Sequence, residues 1–275
     1  MAGILYLVAT PIGNLEDITA RALRVLAEVD LVAAEDTRVS GRLLHHFAIE
    51  KPLVSYYEQN KRAREGRLLA ALQEGKNIAL ISDAGTPGLS DPGADLVKAA
   101  IRAGIEVVAI PGASALLTAL TASGLEDGAF CFEGFLPRDG AARRKRLAAL
   151  SNERRVLVFY EAPHRLCAVL EDMAAAFGPQ RAAVACRELT KLHEEKLRGT
   201  LAELQAHFHA VEPRGEFTLV IAGAADAPVS ADAAEVAAAF QQLLAQGMPR
   251  RQAAREIATR YGVSAREIYA IGLAD

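Results

Sequence analysis

The hydrophobic positions fall into short runs of β-branched and aliphatic residues, separated by stretches whose apolar residues recur at helical spacing. In about the first 115 residues these runs predict strands near 3–9, 31–35, 52–56, 77–82 and 105–110. The intervening stretch from Thr19 to Glu28 places its apolar side chains on one face of a helix. This alternation is typical of a mostly parallel sheet covered by helices.

A second cycle of the same kind begins near Phe130. The segment from His193 to Gly199 is polar and irregular between two β-like runs, which indicates a hairpin and therefore a mixed sheet. The predicted strands lie near 130–135, 155–160, 182–187 and 217–222, and the predicted helices at 141–150, 163–176 and 200–208. The fold class is thus α/β, with a parallel sheet in an N-terminal domain, 1–118, and a mixed sheet in a second domain, 119–225.

The end of the chain has a different composition. Residues 222–230 are rich in Ala, Gly, Pro and Asp and are typical of a linker. Residues 231–275 then predict a small helical appendage, with helices at 231–247, 250–260 and 264–271. Gly262 and Ser264, placed between the last two helices, have the spacing of a helix-turn-helix. Plain helical packing and contact with nucleic acid are equally compatible with this pattern.

Composition narrows the possible functions. Of the 275 residues, 51% are hydrophobic and 24% charged, and the formal net charge of −3 requires that any contact with a polyanion come from a local patch. The 3 cysteines never form a Cys-x-x-Cys pair, which is typical of reduced thiols in the cytoplasm. We recognise no metal-ligand spacing, signal peptide or membrane span, so we expect neither a metal cofactor nor a membrane partner.

Three of the predicted N-terminal strands end in turns rich in Gly and Pro, at residues 10–14, 81–93 and 111–114. The carboxyl ends of the strands lie at one edge of an open α/β sheet, so we expect these loops to converge on one crevice. Their glycines leave backbone groups accessible to a ligand, although simple loop geometry also calls for glycine. Neither Gly-x-Gly-x-x-Gly nor Gly-x-x-x-x-Gly-Lys-Ser/Thr is present, which argues against a Rossmann dehydrogenase and a P-loop NTPase.

Eight sequence segments together carry a resemblance to a known family. In chain order they are 8–15, Glu35-Asp36-Thr37-Arg38, 82–93, 111–114, Phe132-Glu133-Gly134-Phe135-Leu136-Pro137, 159–166, Arg187-Glu188-Leu189-Thr190-Lys191 and Arg214-Gly215-Glu216. With these motifs the chain resembles the tetrapyrrole-methylase-like (class III) S-adenosylmethionine methyltransferases. Within that family it is similar to the branch that methylates the ribose 2′-hydroxyl of a cytidine in small-subunit (16S) rRNA. Tyr57 and Gln59 stand where relatives often carry His, and Ala113 stands where many carry Pro.

The resemblance implies that S-adenosyl-L-methionine binds in a cleft between the two α/β domains of a homodimeric enzyme. The cofactor-binding residues that it implies are Pro11, Ile12, Gly13, Asp83, Gly85, Thr86, Ser114, Ala115 and Tyr160. The catalytic candidates are Lys191, Glu188 and Glu161. The candidates for substrate contact are Asp36, Arg38, Asn60, His164, Arg165 and Glu216. Lys191 can act as a base only if burial or a neighbouring cation lowers its pKa, and a salt-bridged surface lysine is an equal alternative. His164 can equally pack beside Pro163 at a helix start.

Charge gives an argument for RNA that does not depend on the resemblance. Between Arg138 and Arg155, 7 basic residues stand against 2 acids, a local charge of +5. We expect its central cations to contact rRNA phosphates in the small ribosomal subunit, the alternative being a solvated helix face. These cations are Arg143, Arg144, Lys145 and Arg146. Two other functions remain open: methylation of a corrin or uroporphyrin precursor, and a non-enzymatic role as a nucleic-acid-binding assembly factor.

Overall fold

The computed structural model describes residues 1–57, 59–89, 93–125, 128–225, 233–261 and 268. The strands are β1 (Ile4–Val8), β2 (Leu31–Ala34), β3 (Leu53–Ser55), β4 (Ile78–Ile81), β5 (Glu106–Ile110), β6 (Phe130–Phe135), β7 (Val156–Glu161), β8 (Ala182–Arg187), β9 (Glu195–Thr200) and β10 (Phe217–Ile221). The helices are α1 (Ala20–Glu28), α2 (Thr37–His46), α3 (Lys61–Gln73), α4 (Gly93–Arg102), α5 (Ala115–Ser123), α6 (Gly140–Leu150), α7 (Leu166–Phe177), α8 (Leu201–Ala210), α9 (Ala233–Ala245) and α10 (Arg250–Tyr261).

Contacts divide the chain into two compact units. The first consists of Met1–Leu150 and Val156–Ala222, and it contains both sheets. The second consists of Ser151–Arg155 and Gly223–Asp275. The predicted boundary between residues 118 and 119 falls inside α5.

The first sheet has the strand order β3-β2-β4-β1-β5, and all its strands run parallel. Helices α1 and α2 pack on one face through residues such as Leu26 and Leu44, and α3 and α4 pack on the other through Leu68 and Leu96. Because both faces are covered, the central strand β4 is buried at every position and its sequence is a continuous apolar run. The predicted parallel N-terminal sheet is confirmed.

The second sheet has the order β6-β7-β10-β8-β9, in which β6 and β7 are parallel and the other neighbours antiparallel. The predicted mixed sheet is therefore confirmed. The segment treated as irregular in the sequence contains the edge strand β9, which pairs with β8 from Thr200 to Glu195. None of its residues is fully buried, so its sequence lacks the apolar run by which the other strands were recognised.

The two faces of the second sheet have different partners. Helices α6, α7 and α8 cover one face. On the other face, Leu116 and Leu120 of α5 pack with Val158 and Val220, together with Ile12 from the loop after β1. A residue of the first α/β segment thus belongs to the core of the second.

The loop after β1 also contacts the loop after β8. The backbone N–H of Asn14 donates a hydrogen bond to Thr190 Oγ1 over 3.1 Å. A Cβ atom added to Gly13 would lie 2.4 Å from Lys191 Cγ and 2.9 Å from Thr190 Oγ1. Glycine at position 13 therefore permits the close approach of the two loops.

The described part of the second unit includes a hairpin of α9 and α10. Phe240 packs against Ala254 and Ile257, and Gly247 occupies the turn with φ +82°. The predicted turn at Gly262, its cap Ser264 and the third helix lie outside the described residues, as does most of the predicted linker. In the described ranges, no helix is both long and apolar enough to cross a membrane.

The approach at Gly13 generates a stability prediction. Gly13→Ala should lower the free energy of unfolding by about 1–3 kcal/mol, since the new methyl group overlaps atoms of the opposite loop. The matched control is Gly66→Ala in α3, where an added Cβ meets nothing within 4 Å. There the helix propensity of alanine should raise stability by about 0.5–1 kcal/mol. Denaturant midpoints measure both changes, and equal shifts of the same sign would contradict the close packing at Gly13.

Candidate active site

Three loops at the carboxyl edge of the first sheet are tied together by hydrogen bonds. The backbones of Thr10 and Gly85 exchange hydrogen bonds of 2.9 and 3.0 Å. Thr10 Oγ1 also donates to the carbonyl of Ser82 over 3.2 Å, and Thr86 Oγ1 donates to the carbonyl of Ala113 over 3.2 Å. The expected convergence of the three loops is therefore found.

The converging loops border a cavity of about 410 Å³, a size typical of sites for cofactors and drug-sized ligands. Its opposite wall comes from the ends of β7, β8 and β10 in the second sheet. Six of the predicted cofactor residues line it: Ile12, Gly85, Thr86, Ser114, Ala115 and Tyr160. The other predicted residues, Pro11, Gly13 and Asp83, are not among the lining residues of the described chain. The cofactor role of all nine stays a prediction.

Tyr160 forms part of the cavity wall at the end of β7. Its hydroxyl accepts a hydrogen bond of 3.2 Å from the backbone N–H of Leu116, in the first turn of α5. Burial raises the pKa of the hydroxyl, and the Leu116 N–H only partly opposes this. Tyr160 therefore stays neutral at physiological pH and joins α5 to the second sheet.

Glu161 places a buried carboxyl group in the same wall. Its side chain is 0% exposed. Oε1 accepts a 2.8 Å hydrogen bond from the N–H of Ala162 and lies 3.4 Å from Arg165 Nε. Oε2 has no hydrogen-bond partner in the described structure. Burial raises the pKa of Glu161, although the Ala162 N–H and the charge of Arg165 oppose the rise. An unpartnered buried acceptor beside a cavity indicates a site for a ligand donor.

Arg165 does not extend into the cavity opening. Its side chain is 15% exposed, and Nη2 donates to the carbonyls of Leu136 and Pro137 over 2.9 and 3.1 Å. These donors hold the segment after β6, which favours a structural role for Arg165, and its predicted substrate contact stays a prediction. His164 is exposed within the short turn Pro163–Arg165, and its substrate role stays a prediction.

Lys191 lies between two carboxylates. Its Nζ is 3.0 Å from Glu188 Oε1 and 2.9 Å from Glu216 Oε2. Burial alone lowers the pKa of Lys191, but the hydrogen bonds to Glu216 and Glu188 and their charges outweigh it, so the pKa is raised. For Glu188, burial raises the pKa, but the Glu216 N–H and Lys191 outweigh it and the pKa is lowered. These contacts stabilise the ammonium form and argue against a base role in this arrangement, and the catalytic role of Lys191 stays a prediction.

The backbone around this cluster is strained. Glu188 and Thr190 have φ values of 49° and 65°, a region that non-glycine residues rarely enter and β-branched residues especially avoid. Gly215, with φ +83°, stands beside them, and a Cβ there would lie 2.5 Å from Glu188 Oε1. Glycine at 215 therefore lets the Glu188 carboxylate reach the backbone N–H of Glu216, at 2.9 Å. Such strain is concentrated at functional sites.

Asp36, Asp83 and Asn60 make local contacts at the sheet edge. Asp83 Oδ1 accepts a 2.9 Å hydrogen bond from the Asp36 N–H, which joins the ends of β2 and β4. The Arg38 side chain and N–H hold the pKa of Asp36 at about 2. Asn60 donates through Nδ2 to the Ser55 carbonyl, and its Oδ1 accepts from Tyr57 N–H. These contacts stabilise the loops, and the substrate roles of Asp36, Arg38 and Asn60 stay predictions.

The basic helix α6 has fewer available cations than its sequence suggests. Arg143 is only 11% exposed and its Nε lies 2.7 Å from Asp172 Oδ2. This ion pair with α7 leaves little of the Arg143 guanidinium accessible, and its phosphate contact stays a prediction. Arg146 pairs with Glu133 at 2.6 Å but stays 49% exposed. Arg144, which is 62% exposed, and Lys145 are the other exposed cations of this run.

Two features of the cavity escaped the sequence analysis. Phe135 lines the cavity and is 54% exposed, although its motif was used only for the resemblance. Cys186 also lines it, and burial raises the pKa of that thiol to about 11, so it stays protonated. The described part of the chain holds no group of three or more His, Cys, Asp and Glu side chains suited to a metal ion.

Comparison with known proteins gives near-full-length matches. Ribosomal RNA small subunit methyltransferase I of Synechocystis sp. is 50% identical over 273 residues, which cover 98% of each chain. The protein of the same name from Pseudomonas aeruginosa is 50% identical over 272 residues, covering 98% of this chain and 96% of its own. These relatives extend over both sheets.

A solved structure and a family profile agree with the observed fold. Uroporphyrin-III-C-methyltransferase from Thermus thermophilus superposes with a TM-score of 0.59 at 24% identity, covering 80% of this chain and 94% of its own. At that identity the likeness shows the fold alone. The profile of the tetrapyrrole (corrin/porphyrin) methylases matches residues 4–205, which include every residue lining the cavity up to Leu189. Together with the near-full-length relatives, this match shows that the chain belongs to the tetrapyrrole (corrin/porphyrin) methylase family.

Proposed function

We propose that the protein transfers a methyl group from S-adenosylmethionine to the ribose 2′-hydroxyl of a cytidine in small-subunit (16S) rRNA. The observation that carries this proposal is the 50% identity, over 98% of the chain, to a ribosomal RNA small subunit methyltransferase. Methylation of a tetrapyrrole precursor has support only from a likeness of fold at 24% identity. A non-enzymatic role does not account for a preformed cavity with a buried unpartnered carboxyl oxygen.

The residues around the cavity fit S-adenosylmethionine. Gly85 has φ +83°, and a Cβ there would approach Ile12 Cγ2 to 3.3 Å, so glycine keeps this wall open. The N-terminus of α5, with Ser114 as its cap, borders the cavity and favours a negatively charged group such as a carboxylate. Glu161 Oε2 supplies an acceptor for a donor group of the cofactor. The cavity thus offers complementary polar groups at two places.

The bound cofactor supplies an electrophilic methyl group on a sulfonium, and the chain must place the ribose oxygen in line with it. Methyl transfer to that oxygen releases the hydroxyl proton, which needs an acceptor. Glu216 lines the cavity with a 78% exposed side chain, and Lys191 orients its carboxylate. We infer that the proton passes to Glu216, while Lys191 holds its carboxylate and Glu188 accepts a hydrogen bond from its backbone N–H. A positioned base contributes roughly 10²–10⁴-fold to such a step.

The homodimer and the cytoplasmic location remain proposals that rest on the resemblance and on cysteine usage. Light scattering at micromolar concentration distinguishes a dimer from a single chain of 29.3 kDa.

In the central test, purified protein is incubated with labelled S-adenosylmethionine and with small ribosomal subunits from cells that lack the protein. We expect label on one cytidine 2′-oxygen, mapped by resistance of the adjacent phosphodiester bond to alkali. Uroporphyrinogen serves as the competing acceptor. Label on the tetrapyrrole and none on rRNA would replace the proposed substrate, and the absence of measurable S-adenosylmethionine binding would remove the enzymatic proposal.

Glu161→Gln tests whether the buried carboxyl holds the cofactor. Loss of a charge-assisted hydrogen bond should weaken S-adenosylmethionine binding by roughly tenfold or more in calorimetry. The surface change Glu171→Gln, at a side chain that is 52% exposed, should leave the affinity unchanged. If Glu161 instead transfers a proton, the affinity stays normal and only turnover falls.

Glu161→Gln should also change how the stability of the protein depends on pH. The pKa of Glu161 is raised in the folded state because burial favours its protonated form. The stability that goes with this form is fully present below the ordinary carboxyl pKa of 4.5, and it is lost as pH rises through the folded pKa. Without cofactor, Glu161→Gln should therefore gain stability relative to the wild type as pH increases through this range. Thermal midpoints at successive pH values measure the difference, and a constant difference would contradict the burial of an unpartnered carboxylate.

Lys191 distinguishes an orienting cation from a base. Lys191→Arg keeps a permanent positive charge and should retain a rate within about tenfold of the wild type, since a base would instead contribute roughly 10²–10⁴-fold. Lys191→Met should lose most activity because Glu216 is no longer held. Lys196→Met is the matched control, as Lys196 pairs with Glu194 in the same hairpin. Single-turnover methylation at saturating cofactor measures all three, and an inactive but folded Lys191→Arg would restore the base role.

A further inference from the structure

A bulge in β6 changes the face on which its last side chain lies. The register with β7 runs from Phe130 opposite Val156 to Phe132 opposite Val158, but Gly134 then stands opposite Phe159 and Phe135 opposite Tyr160. Glu133 is therefore an extra residue on β6. Regular alternation would place Phe132 and Phe135 on opposite faces, and the extra residue returns Phe135 to the face of Phe132.

That face borders the cavity. The ring of Phe132 lies 4.9 Å from the ring of Tyr160, and the ring of Phe135 lies 5.6 Å from it, at an angle of 58°. Phe132 is partly buried against the core, whereas Phe135 is 54% exposed and lines the cavity. The bulge thus places an aromatic ring at the cavity with much of its surface open to solvent.

The surrounding chain holds Phe135 in this exposed position. Gly134 has φ +62°, a conformation that other residues rarely adopt, and it allows the bulge. Immediately after Phe135, the carbonyls of Leu136 and Pro137 accept hydrogen bonds from Arg165, which Glu161 orients from the cavity wall. The exposed ring is therefore supported by specific contacts instead of lying on a loose surface loop.

We propose that Phe135 is the platform on which the base of the target nucleotide stacks when its ribose enters the cavity. The assignment rests on the proposed function, since a ribose that enters a cavity brings its base with it, and an unstacked base gains from a new stacking partner. A phenyl ring offers a π-face but no hydrogen-bonding group, so it can stack on any base without distinguishing one base from another. The exposed Arg138, three positions further along the chain, suits the phosphate that accompanies such a base.

The adenine of the cofactor is the other source of a stacking base. Phe135 is 54% exposed, which suits a base that stays joined to an RNA chain outside the cavity better than a small cofactor held inside it. We therefore commit to the substrate base. Cofactor affinity, measured without RNA, separates the two sources because only adenine stacking would alter it.

The test compares Phe135→Ala, Phe135→Leu and Phe135→Tyr with the control Phe130→Ala. Phe130 lies on the same strand and is 38% exposed, but is not among the residues that line the cavity. Methylation of small subunits is measured as single-turnover rate against subunit concentration, and S-adenosylmethionine affinity by calorimetry. Loss of stacking should weaken subunit engagement by about 5- to 150-fold in Phe135→Ala. Phe135→Leu should show most of this loss, whereas Phe135→Tyr and Phe130→Ala should resemble the wild type.

Each outcome decides a separate question. Normal methylation by Phe135→Ala, or equal activity of the Leu and Tyr variants, would overturn the stacking role while the proposed function stands. Weaker S-adenosylmethionine binding by Phe135→Ala without RNA would overturn it in favour of the cofactor's adenine. A wild-type chain that binds S-adenosylmethionine but methylates no rRNA would overturn the proposed function and this assignment together. Normal cofactor affinity in the variants also shows that they are folded.

Discussion

The cavity depends on the pair of backbone hydrogen bonds between Thr10 and Gly85. This exchange joins the loop after β1 to the loop after β4, and the positive φ of Gly85 is what brings its N–H and carbonyl into register with Thr10. Two residues further on, Ile12 enters the core of the second sheet with α5. The same short loop therefore forms a wall of the cavity and fixes the second sheet beside it. A change in this pair would alter the ligand site and the joint between the sheets at once.

Glu161 and Lys191 differ in how their charges are compensated within one site. Lys191 has two carboxylate partners, so its charge is compensated before any ligand arrives, and the raised pKa of its ammonium follows. Glu161 has one unpartnered oxygen, so burial makes its carboxylate form unfavourable and raises its pKa. A hydrogen-bond donor on a ligand would relieve that cost, whereas the ammonium of Lys191 already has two carboxylate partners. This difference supports a binding role for Glu161 and an orienting role for Lys191.

The sequence predicted the parts of the structure that depend on local patterns. Strands covered on both faces, such as β4, are continuous apolar runs, and the Gly- and Pro-rich loops lie at the carboxyl edge where parallel strands require them. The edge strand β9 was missed because exposed strands need no apolar run. The direction of Phe135 could not be read from alternation because one extra residue reverses it. Gly134 was the only local sign of that bulge.

Ion pairs between residues distant in sequence explain why the basic segment has fewer accessible cations than its sequence suggests. Arg143 and Asp172 are 29 positions apart, and only the packing of α6 on α7 brings them together. Arg146 likewise meets Glu133, the residue that forms the bulge in β6. These two ion pairs hold α6 to α7 and to the bulge that precedes Phe135, and they leave fewer cations of α6 for phosphates. Recognition of RNA would then depend less on the number of charges than on the fit of one nucleotide against Phe135, which follows that bulge.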